Sequence, residues 1–486
     1  MKRFCPSVLI VCLLLCLFCT GAVPAHAEKA FSAVPMLAGG EEHTVALKND
    51  GTVWAWGSYY HGQLGNGIVG VWRPQGSDSF QPTPLQVPGL DHMTAVAAGQ
   101  YHTVALRSDG TVWAFGFDSD GQLGDGLGGA VGRRNPTPVQ AKISNVTAIA
   151  AGSRHNAALQ KDGTVWTWGG NPFGQLGHGE PGWESPQNVP AQVQNLDHVI
   201  AVAAEGNHTA ALKDDGTVWS WGLNDRGQLG DGTGGWQGSE DEEPDFSLLP
   251  VQAQGLQNIT AIAAGSSHTM ALRGDGTVWV WGANWNGQTG NGTMENDGYR
   301  TAPVQVETLQ DVTAIAAGQS HNVVLKKDGT IWAWGLNVDG QLGIGTGWNE
   351  NGFYLAPVQT NHISGVVSIA AGDTHTLAMR DDGTVWAWGN NTDGQIGDGT
   401  VCVFGDYRPD PRQVLGPDGI GYLNLRESAP PPEAQNERAA EPASALTANH
   451  SILRIAFACG GAALAIVAAL LFVLKKRRRR NSALPR

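Results

Sequence analysis

The sequence predicts an all-β protein, a seven-bladed β-propeller of four-stranded blades, preceded by an N-terminal signal peptide and followed by one C-terminal transmembrane helix. Three observations predict the propeller. A run close to His-Thr-x-x-Leu-x-x-Asp-Gly-Thr-Val-Trp-x-Trp-Gly, followed by Gly-Gln-Leu-Gly-x-Gly, occurs seven times. Its histidines are His43, His102, His155, His208, His268, His321 and His375, spaced by 59, 53, 53, 60, 53 and 54 residues. Self-similarity at such a period marks a repeat architecture. Two large rings then stand at i and i+2 in Trp54/Trp56, Trp166/Trp168, Trp219/Trp221, Trp279/Trp281, Trp332/Trp334 and Trp386/Trp388, with Trp113/Phe115 as the variant. Period two means a strand with both rings on one face. Finally, an Asp-Gly pair, from Asp50-Gly51 to Asp382-Gly383, separates the His run from the Trp run in every unit and signals a hairpin.

Each unit therefore supplies four strands. An apolar run such as Ile149-Ala150-Ala151-Gly152 comes first, the His-Thr run second, the Trp run third, and a short run around a Pro-Val pair such as Pro138-Val139 fourth. Repeated four-stranded sheets arranged radially are propeller blades. Met36-Leu37-Ala38-Gly39 opens the first unit, and the segment from Pro411 to Val414 ends the last. Each core aromatic buries ~150–250 Å², which at ~25 cal/mol/Å² is ~4–6 kcal/mol apiece as an upper bound. A core of that size needs no disulfide. The seven histidines are expected to be structural, each hydrogen-bonding within its own blade, because ring symmetry holds them too far apart to share one ion at ~2 Å.

A period near 53 exceeds the ~40–45 of WD-type repeats and lies near the ~50 of kelch repeats. The motif words decide between them. His-Thr-x-x-Leu, Asp-Gly-Thr-Val-Trp-x-Trp-Gly and Gly-Gln-Leu-Gly resemble the regulator-of-chromosome-condensation repeat over about residues 34 to 415. The resemblance implies seven blades around a central shaft, with a closing blade shared by both termini.

The ends of the chain define its expected setting. Lys2 and Arg3, an apolar stretch from Val8 to Cys19 and Ala25-His26-Ala27 read as a signal peptide over residues 1–27. The propeller is assigned to residues 28–425 and a Pro/Ala-rich disordered stalk to 426–453. Residues 454–474 read as a membrane span and 475–486 as a basic cytoplasmic tail, because Ile455 to Leu474 carry no charge and Lys475 to Arg480 follow as a stop-transfer cluster. The expected location is a cell membrane, single-pass, with the propeller extracellular. Of the six cysteines only Cys402 lies in the outer part, so no intramolecular disulfide is available there.

Thirty basic and 44 acidic residues give a formal −14. Ten of the basic residues sit in the signal, the span boundary and the tail. The outer part thus holds 20 basic against 44 acidic residues, a formal −24 that repels phosphate backbones. No nucleic-acid partner is expected. The Asp118-x-Asp120-Gly121 fragment echoes a calcium loop, but Asn or Asp belongs to the repeat there, as in Asn337-x-Asp339-Gly340. No nucleophile elbow, phosphate loop or His-Glu-x-x-His occurs, so no catalytic residues, metal ligands or cofactors are expected.

The repeats disagree between each Gly-x-Gly and the following Pro, where the stretches from Ile68 to Thr83 and from Thr233 to Leu249 are longest. These stretches carry aromatics that the repeat does not demand: Trp72, Phe80, Trp183, Trp236, Phe246, Tyr299, Trp348, Phe353, Tyr354, Phe404 and Tyr407, interleaved with acids such as Glu240, Asp245, Glu295 and Glu350. Equivalent loops lie on one rim of a ring, so these residues are the candidate ligand-binding set for an extracellular protein or polysaccharide. The expectation is a non-enzymatic, surface-displayed binding module. Resemblance implies two alternatives: an inhibitor of a secreted enzyme, similar to the β-lactamase-inhibiting propellers, or less readily an enzyme or guanine-nucleotide exchanger, as the repeat family's name would suggest.

Overall fold

The computed structural model describes residues 31–71, 79–235, 244–294, 298–347, 352–402 and 407–427. The expected signal peptide, stalk, membrane span and basic tail lie outside these residues. No helix among the described residues is long and apolar enough to cross a membrane.

Seven antiparallel four-stranded sheets make up the ring, and in each the strands follow one another in sequence order. Blade 1 runs from Met36–Gly39 through His43–Leu47 and Val53–Ser58 to Phe80–Gln86. The last blade runs from Val366–Ala371 to Arg408–Gln413. Inner strands of adjacent blades pack against one another around the ring, and the inner strand of the last blade packs against that of the first. These strands are rich in alanine, as in Val146–Ala151 and Val312–Ala317, so seven of them fit around a narrow shaft. Antiparallel order fixes the two ends of the wheel. The turn between inner and second strands and the long connection between third and outer strands share the loop face. The Asp-Gly hairpins and the links between blades share the opposite, hairpin face.

On the hairpin face the repeat is uniform, and in five blades one hydrogen-bond chain uses its Asp, Thr and Trp together. Asp50 accepts from the Thr52 amide at 3.0 Å and from its hydroxyl at 2.6 Å, and the Thr52 hydroxyl accepts from Trp54 Nε1 at 3.0 Å. Gly51 sits at φ +79°, the left-handed position such a tight turn requires. Both rings of each Trp pair face the preceding blade, as period two predicts. Trp56, Trp168, Trp221, Trp281, Trp334, Trp388 and Phe115 are fully buried. Their partners nearer the hairpin are less covered, and cations lie over several, such as Arg107 at 4.5 Å from the Trp113 ring centre.

The histidines are structural, but their bonds leave the blade, contrary to expectation. His43 Nε2 meets Thr103 Oγ1 of the next blade at 2.9 Å, and the link continues through His102 with Asn156, His155 with Thr209, His208 with Thr269, His268 with Asn322 and His321 with Thr376. His375 with Thr44, at 2.9 Å, closes the circle. Each Thr or Asn also donates to the backbone carbonyl of a Gly-Gln-Leu-Gly glutamine, as Thr103 does to Gln63 and Thr44 to Gln395. Trp56, Trp168 and Trp221 donate Nε1 to such carbonyls at 2.9 Å. The blades are thus stitched by a belt of buried polar groups in which each histidine Nε2 meets a Thr or Asn of the next blade, while each Nδ1 is buried without a partner.

Ring closure also differs from expectation, because no blade is shared by the termini. Leu423 and Leu425, 2% and 0% exposed, instead wedge into the joint between the last and first blades beside Leu37, Trp54 and Trp56. The Leu425 amide donates to Gly383 at 2.9 Å and its carbonyl accepts from the Asn49 amide at 2.8 Å. At an ordinary joint Met93 and His92 make the matching bonds, with Gly51 and Ser108. The inner strand of blade 1 has four residues against six in its neighbour, and the C-terminal segment fills the place that strand leaves open.

Candidate functional site

The loop face is built from a rigid frame with variable tips. In six blades an Asn or Asp opens the connection after the Trp strand and its side chain accepts from the amide five residues on, as Asn171 does from Leu176 at 3.0 Å and Asp118 from Leu123 at 2.9 Å. The following glutamine folds its Oε1 onto the amide two residues back, as Gln63 does with His61 at 2.7 Å and Gln395 with Asp393 at 3.0 Å. This explains the fragment around Asp118 without calcium. The buried Asp118 carboxylate bonds Leu123 and pairs with Arg133, which also holds Asp125 at 2.9 Å. Among the described residues no group of three His, Cys, Asp or Glu is placed to hold a metal ion.

Between that Asn or Asp and the glutamine, the tip position reads Tyr60, Ser119, Pro172, Asp225, Trp285, Val338 and Thr392 around the ring. Trp285 is 44% exposed, and the Arg226 guanidinium of the preceding blade lies 4.2 Å from its ring centre. In the first two blades Tyr60, His61, Tyr101 and Phe117 form one aromatic cluster, with His61 4.5 Å from Tyr101 and 5.1 Å from Phe117. Arg134 caps it, 4.4 Å from the Tyr60 ring centre. Burial and the neighbouring Arg134 and Arg154 hold the His61 imidazole down at about 4, so it is neutral at pH 7.

Of the sequence-predicted site residues, Trp72, Trp236, Trp348 and Phe404 lie outside the described residues. Trp183 falls in the outer strand Gly182–Gln192. Phe80, Phe246, Tyr299 and Phe353 each begin an outer strand, opposite Ser58, Leu223, Ala283 and Leu336. Tyr407 immediately precedes the last one. The fold thus puts Phe80, Phe246, Tyr299, Phe353 and Tyr407 at one ring position on the loop face, in five of the seven blades, with Tyr354 beside Phe353. All six are half-buried. Tyr299 lies over Gly235 of the preceding blade, where an added Cβ would meet its hydroxyl at 2.3 Å, and Tyr407 lies likewise over Gly347 at 2.2 Å. These two rings fasten one blade's loop to the next. Asp245, from the acidic set, is exposed at the start of its strand.

Sequence reasoning missed Tyr60, Tyr101, Trp285 and Arg226, which sit inside the repeated words rather than between them. For Tyr60 and Trp285 the signal available was the disagreement at that one tip position. It also missed the mouth of the shaft, where the turns before each histidine meet. Ser266, Gln319 and Asp373 donate their amides to Gln319, Asp373 and Gly40 at 3.3, 3.1 and 3.2 Å, and Ser153 donates to Gly206 at 3.1 Å. Glu41, Glu42, Glu205, Asp373 and Asp393 gather at this collar. Burial and the nearby Asp393 and Glu41 push Glu42 up to about 7.

The matches to known families agree with this architecture. The model of the RCC1-like domain matches residues 126–462, and the regulator of chromosome condensation (RCC1) repeat matches residues 50–106 and 93–122. The chain belongs to the RCC1-like domain family. Among relatives, the ultraviolet-B receptor UVR8 of Arabidopsis thaliana is 32% identical over 378 residues, 75% of this chain and 79% of its own. The human E3 ubiquitin-protein ligase HERC2 is 31% identical over 74% of this chain, a stretch that makes up 7% of that much longer protein. Among solved structures, Prp20p of Saccharomyces cerevisiae is similar with a TM-score of 0.65 at 23% identity, covering 84% of this chain and 95% of its own. Human WBSCR16 is similar with a TM-score of 0.63 at 22% identity, covering 76% and 94%. These two likenesses concern the fold.

Proposed function

We propose that this RCC1-like propeller is a non-enzymatic recognition module, displayed outside the cell on a membrane tether, whose loop face holds a protein partner. One observation carries the reading: the two ends of the wheel obey different rules. The hairpin face spells Asp-Gly-Thr with its hydrogen-bond chain in blade after blade, whereas the loop face offers a different side chain at every tip of one rigid frame, from Tyr60 to Thr392. A fixed scaffold with varied tips is how propellers and other loop-bearing folds carry recognition. Aromatic and arginine side chains, here Tyr60, Trp285, Arg226 and Arg134, are the types that dominate interface energetics. The display outside the cell rests on the leader and the charge-flanked apolar segment of the sequence. The 32%-identical relative is a receptor by name, which accords with a binding role.

The test is capture of binding proteins from the cell surface and medium by the intact chain, followed by quantitation of the captured partner. Trp285→Ala and Tyr60→Ala are expected to weaken capture by tenfold or more, while Lys161→Ala on the hairpin face leaves it unchanged. A partner whose binding is lost only with the hairpin-face change refutes the assignment of the face.

A further inference from the structure

The collar holds more buried acid than the fold requires. Three residues before the belt histidine, six blades have glycine, namely Gly40, Gly99, Gly152, Gly265, Gly318 and Gly372, where a Cβ would stand 2.1–2.4 Å from the histidine ring. Blade 4 has Glu205 there. Its inner strand continues one residue further, pairing Glu205 with His208, and Gly206 takes the turn at φ +52°. The Glu205 side chain is half-buried, with one oxygen accepting from the Gly206 amide at 3.1 Å. The charges it feels most are those of Asp373 and Glu41, which belong to the last and first blades, on the far side of the shaft. The extra strand residue therefore sets its carboxyl in the collar at the shaft mouth.

Asp373 is the independent observation. It is 8% exposed, whereas the equivalent Gln319 is exposed and Ser153, Ser266 and Gln100 are half-exposed. No group among the described residues donates a hydrogen bond to its carboxyl, and its backbone locks it into the collar. One oxygen of Glu41 is likewise buried without a partner. No ion pair among the described residues involves Glu41, Glu205 or Asp373. The other titratable groups facing them are Glu42, Asp393 and Tyr101, with the neutral His43 and His375 beneath. None of these brings positive charge at neutral pH. Buried carboxyls without counter-charge are costly unless protonated or met by a cation.

Among the described residues no three His, Cys, Asp or Glu are placed to hold a metal ion. A guanidinium is a flat fork that pairs bidentately with one carboxylate. A primary ammonium is a compact charge with three N–H donors on a thin stem, and its separate donors can address carboxyls on separate blades that stand too far apart to ligate one metal ion. We propose that the shaft mouth is a receptor for a primary ammonium group on an alkyl stem, entering along the propeller axis with Glu41, Glu205 and Asp373 as its acceptors. The inference deepens the reading of the loop face as the recognition face by naming a partner's chemistry: an exposed lysine of a bound protein, or a free polyamine. Burial and the nearby carboxylates raise Glu205 and Asp373 well above the usual carboxylate range, so ammonium binding there expels protons.

The experiment is titration calorimetry on the intact chain with the peptide Gly-Gly-Lys-Gly-Gly, its Nζ-acetylated form and 1,5-diaminopentane, at pH 6.0 and 8.5 in buffers of different ionisation enthalpy. The lysine peptide is expected to bind, acetylation to weaken it at least tenfold, and proton release to be larger at pH 6.0. Glu205→Gln and Asp373→Asn should each weaken binding tenfold or more, with tryptophan fluorescence confirming that each variant is folded. Stronger binding of the diamine assigns the site to polyamines, and stronger binding of the peptide assigns it to lysine; both support the proposal. Absence of binding by every amine, or affinity unchanged in both variants, overturns it. Capture of a protein partner that depends on Trp285 but not on Glu205 or Asp373 leaves the recognition face standing and removes this inference alone.

Discussion

Mild acid should unfold this propeller through its histidine belt, and steeply. All seven belt histidines are fully buried, and burial, helped in most by neighbouring histidines, pushes their imidazoles down to about 3 or 4. In the unfolded chain each titrates near ~6.5. A histidine whose folded value is depressed contributes stability that is whole above ~6.5 and drains away as pH falls toward the folded value. Between about pH 6.5 and 5 the unfolded chain therefore binds up to seven more protons than the native one, and His61, also held at about 4, acts in the same direction. Glu42, Asp118, Glu205 and Asp373 oppose this. Their folded values are raised, so they destabilise the native state as pH rises through the acid range, and they bind up to four protons on refolding at mild acid. About four protons remain. At ~1.4 kcal/mol per proton per pH unit, stability should fall by ~5 kcal/mol for each unit of pH, against a total of ~5–15 kcal/mol for a folded domain. Carboxylates such as Asp275 and Asp162 have lowered values and lose their contribution only below the ordinary carboxylate range, outside this window. Urea unfolding followed by the fluorescence of the 18 tryptophans, at half-unit steps from pH 7.5 to 5, measures the slope directly. A slope of one proton or less across that range would refute the neutral, interlocked belt.

Two further outcomes follow from the packing. Trp221→Ala removes a ring that is 0% exposed and a bond to the Gln175 carbonyl, and should cost ~3–5 kcal/mol in urea unfolding, whereas Trp236→Ala in the variable loop should cost less than ~0.5 kcal/mol. Leu425→Ala should cost ~2–4 kcal/mol and raise amide hydrogen exchange at Asn49 and at position 425 itself while blades 3 to 5 stay protected; uniform loss of protection would contradict a clasp confined to one joint.

What could be read from the sequence was whatever repeats. The Trp-x-Trp period, the Asp-Gly turn and the seven histidines each state a local geometry, and seven statements of it left one architecture. What could not be read depends on which surfaces meet across a joint. His43 and Thr103 are 60 residues apart, and nothing in the repeat says that a histidine reaches forward to the next blade rather than across its own sheet. Leu425 closes the ring from a stretch that carries no repeat word at all. The site was half legible for the same reason: Phe80, Phe246, Tyr299, Phe353 and Tyr407 fall at one ring position as equivalent loops must, but only coordinates show Tyr299 and Tyr407 lying over a neighbouring glycine. Glu205 was visible as a broken letter in the fourth repeat. Its meaning depends on Asp373, which stands across the axis and 168 residues later.

The leucine wedge sets a timetable for biosynthesis. Blade 1 leaves the ribosome first, yet the flank it turns toward its last neighbour has nothing to lean on until residue 425 has also been made. For nearly the whole of translation that flank, with Leu37, Trp54 and Trp56, stays uncovered, so the wheel is completed at its oldest edge by some of its youngest residues. Truncations that spare every repeat but remove these few residues should yield a nascent chain that lingers on chaperones.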